Sequence, residues 1–229
     1  MNDKIKSTSA RRQSGRTAFQ HEQKRATREK LIAAARSVFA EKGYVAATVD
    51  DILRHAEISR GAFYAHFEDK FAVFETLFEE VRASAYVVFE HLAQLRNPSI
   101  KQIEHWLEEE VIFVKASADL LFTSTQVAAI EPVFERAQHA FAIEVIRILG
   151  KGFPAFEIAL TDTTAGKEAM IRALLLLVQI SAISNSIIAT PQWAEPALAI
   201  KVLAQQVHQF IHADVKKAKV PAKKVRAKK

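Results

Sequence analysis

Cysteine does not occur anywhere in the 229 residues. Its absence excludes disulfides, thiolate metal sites and cysteine nucleophiles together. It fits a reducing compartment, so the protein is expected in the cytoplasm. Glycine and proline are scarce as well, with six of each. Few backbone punctuators among abundant Ala, Leu, Ile and Glu predict an all-α fold. No apolar signal-peptide core opens the chain, because residues 1–30 are polar and basic. A Gly-rich phosphate loop, an HExxH helix and a nucleophile elbow are all missing. No enzyme, cofactor or metal is therefore expected. His208 and His212 share a helix face, and His105 precedes Glu108, Glu109 and Glu110; both sets read better as solvated or interface surface than as metal ligands.

What is present is unevenly distributed. The net charge of +6 hides a segregation. Residues 1–30 carry nine Lys/Arg against three acids, and residues 213–229 carry eight against Asp214 alone. The body between them holds 15 basic and 22 acidic residues. An acidic body with two basic tails points to a polyanionic partner or to solvated tails. Residues 1–17 and the Lys-rich tail 213–229 are expected to be disordered.

Between the tails the apolar periodicity is helical throughout. Leu31, Ala34, Ala35, Val38 and Phe39 line one helix, which Gly43 ends. Phe71, Phe74, Leu77, Phe78 and Val81 line another that starts near Asp69. Asn97-Pro98-Ser99 is a break, and Ser99 with Gln102 forms a capping box for the next helix. Pro132, Pro191 and Pro196 mark further starts and stops. Residues 173–190 lack formal charge over 18 positions, long enough for a membrane span. Gln179, Ser181, Ser184, Asn185, Ser186 and Thr190 interrupt that surface, which suits a buried subunit-interface helix better. No membrane association is expected.

The most informative stretch is TVDDILRHAEISRGAFYAHFEDK, residues 48–70. Thr48 with Asp51 is a capping box, and Val49, Ile52, Leu53 and Ala56 form an apolar stripe. Ser59 opens a second short helix carrying Arg60, Tyr64 and His66 beside the apolar Phe63 and Phe67. Two short helices across a tight turn make a helix-turn-helix, whose second helix is sized for the DNA major groove.

Residues 33–74, with VFAEKGYVAATVDDIL, HAEISRGAFYAHFEDK and FAVF in order, resemble the tetracycline-repressor (TetR) family. The resemblance implies a three-helix helix-turn-helix domain over 18–72, followed by a larger helical ligand-binding and dimerisation domain over 73–212. It assigns DNA contact to Thr48, Ser59, Arg60, Gly61, Tyr64, His66 and Lys70. Arg60 suits a guanine edge; Gly61 lets the backbone approach the groove; the others suit phosphate. A solvated surface role stays open for each polar residue, most of all for Ser59 and His66. Two positions depart from the family pattern. Ala47 stands where a second Thr is usual, and Glu57 stands in the turn where Gly is usual. A left-handed Glu57 would be strained by roughly 1 kcal/mol.

Trp106, Glu110, Phe113, Phe122, Gln126 and Phe141 are read as candidate lining of an effector pocket in the larger domain. Leu175, Ile183, Ile187 and Val202 are read as a homodimer interface in the last two helices. The expected function is a ligand-responsive, dimeric, sequence-specific regulator of transcription. It is read as a repressor that binds double-stranded DNA and is released by a small apolar or amphipathic effector. A sequence-tolerant DNA-coating protein that uses its basic tails is the alternative, and a helical enzyme with an apolar pocket is a third, less supported reading.

Overall fold

A computed structural model describes residues 3–190 and 195–212. Among these residues there are ten helices and no strand: α1 Asp3–Ala46, α2 Val49–Ala56, α3 Arg60–Tyr64, α4 Lys70–Gln94, α5 Ile100–Ala116, α6 Ala118–Ile130, α7 Pro132–Gly150, α8 Pro154–Ala159, α9 Thr164–Ala189 and α10 Pro196–Ile211. Where the sequence suggests a disordered arm over 1–17, α1 is already helical from Asp3. That stretch has no proline and a single glycine, Gly15, so nothing stops the helical ladder. The tail expected to be disordered, 213–229, lies outside the described residues.

The chain divides into two compact units. One runs to Val81 and adds Asp119–Glu131; the other takes Arg82–Ala118 and the chain from Pro132 onward. The sequence-based boundary at residue 72 therefore falls inside α4, and α6 groups with the N-terminal unit although it lies in the expected effector domain.

In the N-terminal unit, Phe39, Tyr44 and Phe74 meet at ring-centroid separations of 5.5, 5.7 and 6.1 Å, the tilted and edge-to-face range that aromatic rings favour. Leu31, Ala35, Ile52, Phe63 and Val73 complete a core with no exposed surface. Gly43 kinks α1 with φ 72°. Glycine is required there by conformation; a Cβ would also sit 2.8 Å from the Gln126 side-chain oxygen and push that flexible amide aside.

The second unit is built around Trp106, Leu107, Val145, Ile146, Leu149, Phe156, Leu176 and Val207. The Trp106 indole donates to the Val88 carbonyl at 2.7 Å, which satisfies its one polar atom inside the core. Ala173, Leu176, Ile180 and Ser184 form the buried face of α9. Its other face carries Ile171, Leu175 and Val178, which are 61%, 58% and 64% exposed. By length and composition this helix is apolar enough to cross a membrane.

One charge is misplaced by ordinary rules. Glu110 on α5 is 5% exposed and accepts a hydrogen bond from the Ser184 hydroxyl of α9. Burial pushes its pKa up to about 7, and the Ser184 bond offsets this only in part. A raised carboxyl pKa favours the folded state while the unfolded carboxyl is still protonated. That advantage is fully present below pH 4.5 and is lost as pH rises to about 7. Relative to the Glu110→Gln variant, the wild type should lose about 3 kcal/mol of unfolding free energy over this window, then level off. Denaturant titrations of both proteins at several pH values measure the difference; a pH-independent gap would contradict it.

Candidate nucleic-acid interface

Thr48 is the N-cap of α2, in extended conformation. Its hydroxyl accepts from the Asp51 amide at 3.1 Å, while the Asp51 carboxylate accepts from the Thr48 amide at 3.1 Å and the hydroxyl at 2.8 Å. This is the capping box that the spacing predicts. Lys42 adds an ammonium at 2.7 Å and Arg54 a guanidinium at 3.2 Å. Lys42 and Thr48 together hold the Asp51 carboxyl well below the usual carboxylate range. Ala47, at the other departure from the family pattern, is buried, and its carbonyl accepts from Lys70.

The turn after α2 passes through Glu57, whose backbone is left-handed at φ 55°, ψ 42°. Its amide and that of Ile58 both donate to the Leu53 carbonyl, which closes the helix. The required backbone conformation is thus the one glycine adopts most readily. Ser59 then caps α3, its hydroxyl accepting from the Ala62 amide at 3.3 Å.

The second short helix, α3, has five residues. Phe63 is its buried anchor, packed against Phe67 with ring centroids 5.9 Å apart. Arg60, Gly61 and Tyr64 are exposed together on the other side. A Cβ built on Gly61 meets nothing within 4 Å, so no packing inside this chain requires glycine there. Arg60 donates through Nη2 to the Asp50 carboxylate of α2. His66 is half-buried, and burial first, then the Lys24 and Arg28 charges, lower its pKa. Arg28 itself lies over the Phe67 ring at 5.1 Å and donates to Thr76.

Lys70 differs most from its expected role. Its ammonium donates at 2.8 Å to both the Tyr44 and the Ala47 carbonyls and sits 4.5 Å from the Tyr44 ring centre. Burial lowers its pKa. Two of its three N–H groups therefore close the end of α1, and one remains for another acceptor.

The six candidate pocket residues are divided between the two units. Phe122 and Gln126 belong to the N-terminal unit; Phe122 is 69% exposed, and Gln126 accepts from the Tyr44 amide at 2.8 Å. Trp106 and Glu110 are committed to Val88 and Ser184. Phe113 is half-buried, and Phe141 packs on Tyr86 at 5.1 Å. The second unit instead has a cavity of about 560 Å³ lined by His91, Gln94, Leu95, Lys101, Gln102, His105, Trp106 and Glu109. Only Trp106 is shared with the sequence-based set. Periodicity shows which residues face a core, and it does not show where two helices part. Of the candidate dimer residues, Leu175 and Val202 stand exposed, Ile187 is half-buried and Ile183 packs on the core. His212 stacks on His208 at 4.1 Å, with Nε2 2.7 Å from the Asn97 side-chain oxygen.

The profile of the bacterial regulatory proteins of the tetR family matches residues 31–77, the segment from the buried half of α1 into α4. Residues 31–77 therefore carry a tetR-family domain. Among curated relatives, the chain is 33% identical over 86 residues to the HTH-type transcriptional repressor BepR of Brucella suis biovar 1, covering 38% of this chain and 40% of that one. It spans about two-fifths of the length of the curated relatives it matches. The fold extends further. The structure of NalD, the secondary repressor of the MexAB-OprM multidrug efflux pump in Pseudomonas aeruginosa, covers 83% of this chain and 98% of its own at TM-score 0.57 and 21% identity. A SmeT–triclosan complex covers 79% and 90% at TM-score 0.58 and 20% identity.

Glu57 yields the prediction of this section. Replacing it by Gly removes left-handed strain and an anion at a helix C-terminus, where negative charge is unfavourable. Glu57→Gly should stabilise the N-terminal unit by about 1 kcal/mol, read as a raised urea midpoint with unchanged slope. An unchanged or lower midpoint would show that Glu57 carries a compensating contact.

Proposed function

We propose that the chain is a cytoplasmic, dimeric, ligand-responsive repressor that binds specific DNA sequences through α3. The observation that carries this reading is the exposed face of Arg60, Gly61 and Tyr64. It contains a glycine inside a helix, with open space where its side chain would be. Glycine weakens a helix by up to about 1 kcal/mol. Here that weakness has no internal reason, and close approach of a DNA groove supplies one. Thr48, Ser59, His66 and the remaining N–H of Lys70 lie on or beside the same short helices and suit phosphates, which set register rather than sequence. The relatives' names as transcriptional repressors support the assignment.

Gly61→Ala separates fold from function. It should leave thermal stability unchanged or raise it, and weaken binding to duplexes selected by the wild type by about tenfold or more, which is about 1.4 kcal/mol. Selection from random duplexes by the full-length wild type comes first. Recovery of a two-fold symmetric motif supports the reading. Equal affinity for selected and random duplexes at fixed salt would favour the sequence-tolerant coating protein suggested by the basic ends.

Dimerisation is proposed to use the exposed stripe of Ile171, Leu175 and Val178 on α9 with Leu198 and Val202 on α10. A soluble chain rarely leaves such a stripe uncovered. Wild type should sediment as a dimer at micromolar concentration, and Leu175→Asp as a monomer with retained helicity. A monomeric wild type would remove this part of the proposal. For the effector, the cavity between the C-terminal turns of α4 and the start of α5 has the size of a small-molecule site. The SmeT complex with triclosan shows a small molecule bound to a protein of this fold. Release from DNA requires that the effector bind the DNA-incompetent state more tightly, because equal affinity shifts nothing.

A further inference from the structure

We propose that Asp50 is a positioning residue that aims Arg60 at one base pair, and so helps to set the DNA sequence this chain selects. The inference rests on the DNA-binding reading above. Of the five residues of α3, Phe63 is buried, and Gly61 and Ala62 have no reach. Arg60 is the one forked, multi-donor side chain on the exposed face, beside the single hydroxyl of Tyr64, so whatever fixes its direction fixes much of what α3 can read. That direction is set from another helix, because its Nη2 donates to the carboxylate of Asp50 in the first turn of α2.

The neighbouring carboxylate serves a different purpose. Asp51 is saturated by Thr48, Lys42 and Arg54 and builds the cap of α2. Asp50 takes no part in that cap. The Asp50 and Arg60 side chains are 61% and 60% exposed, and an ion pair so placed adds little to folding. An unneutralised carboxylate in the first turn of a helix that leads into the recognition helix would repel phosphate. Paired with Arg60, it is neutralised and becomes a guide. Arginine carries five N–H donors in a rigid fork. With Asp50 on one nitrogen, enough donors remain for the two acceptors of a guanine edge. Holding the side chain beforehand also reduces the freedom lost on binding.

The test is duplex selection and affinity measurement with full-length protein at fixed salt. It uses the wild type, Asp50→Asn, Asp50→Glu, Arg60→Ala and the Asp50→Asn/Arg60→Ala double variant. Arg60→Ala defines the base pair that Arg60 reads. Asp50→Asn should lower the preference at that base pair by about tenfold, leave the other positions intact, and add nothing in the Arg60→Ala background. Asp50→Glu keeps the charge and displaces the carboxylate, so it should lower the same preference, and it decides the matter should Asp50→Asn lose helicity. Overall affinity is a separate readout, since losing an anion tightens every duplex alike. Uniform tightening with an unchanged preference overturns the proposal and makes Asp50 a mere charge. An Arg60→Ala motif identical to the wild type's overturns the base-reading assignment of Arg60 itself, and the guide with it. A changed Arg60→Ala motif beside intact preferences in both Asp50 variants overturns the guide alone.

Discussion

The N-terminal unit hangs on the way Tyr44 is held. The residue is fully buried, and each of its polar groups is engaged. Its amide donates to the Gln126 side chain, its carbonyl accepts from Lys70, and its hydroxyl donates to Glu131 at 3.2 Å. Its ring meets Phe39, Phe74 and the Lys70 ammonium. A buried tyrosine with every polar atom paired fixes its surroundings in one arrangement, because an unpaired one would be costly. The Gly43 kink, the end of α1 and the start of α4 converge on this side chain. The placement of α2 and α3, and so the face that could read DNA, follows from it.

Local chemistry then divides the polar and charged residues near that face into two kinds. Asp51, Lys70 and Arg28 are committed to capping, to closing α1 and to covering Phe67. Arg60, Tyr64 and the edge of Thr48 remain outward. The residues most suited by type to phosphate are therefore not all free to reach it. Lys70→Ala would open the end of α1 as well as remove a cation, so its effect on DNA affinity could not be read as a phosphate contact alone.

Much of the N-terminal fold was legible in the sequence because it is encoded locally. Thr48 with Asp51, and Ser59, announce helix starts within three residues, as Ser99 with Gln102 does in the second unit, and Gly43 announces an end to the long first helix, where the chain kinks. The left-handed Glu57 was legible as a departure from an expected glycine. Long-range polar contacts left no such trace. Asp50 and Arg60 lie ten residues apart on different helices, and Gln126 and Glu131 reach Tyr44 from more than 80 positions away. Pocket lining is less legible for another reason: Phe122 and Phe113 have helical periodicity, yet where helices diverge depends on how whole layers pack, which no single stretch of sequence encodes.

The membership of α6 in the N-terminal unit has a consequence for how the molecule is made. The chain leaves that unit after Val81, returns to it at Asp119 and leaves again after Glu131. Arg36 pairs with Asp119 through two hydrogen bonds, at 2.8 and 3.1 Å, and Tyr44 waits for Gln126 and Glu131. On the ribosome, the helix-turn-helix emerges long before its last partners exist. Domains that close locally finish while synthesis continues; this one stays incomplete until about residue 131 has left the exit tunnel. A nascent chain halted earlier would present α3 on an unfinished base, with the Tyr44 amide and hydroxyl still answered by water.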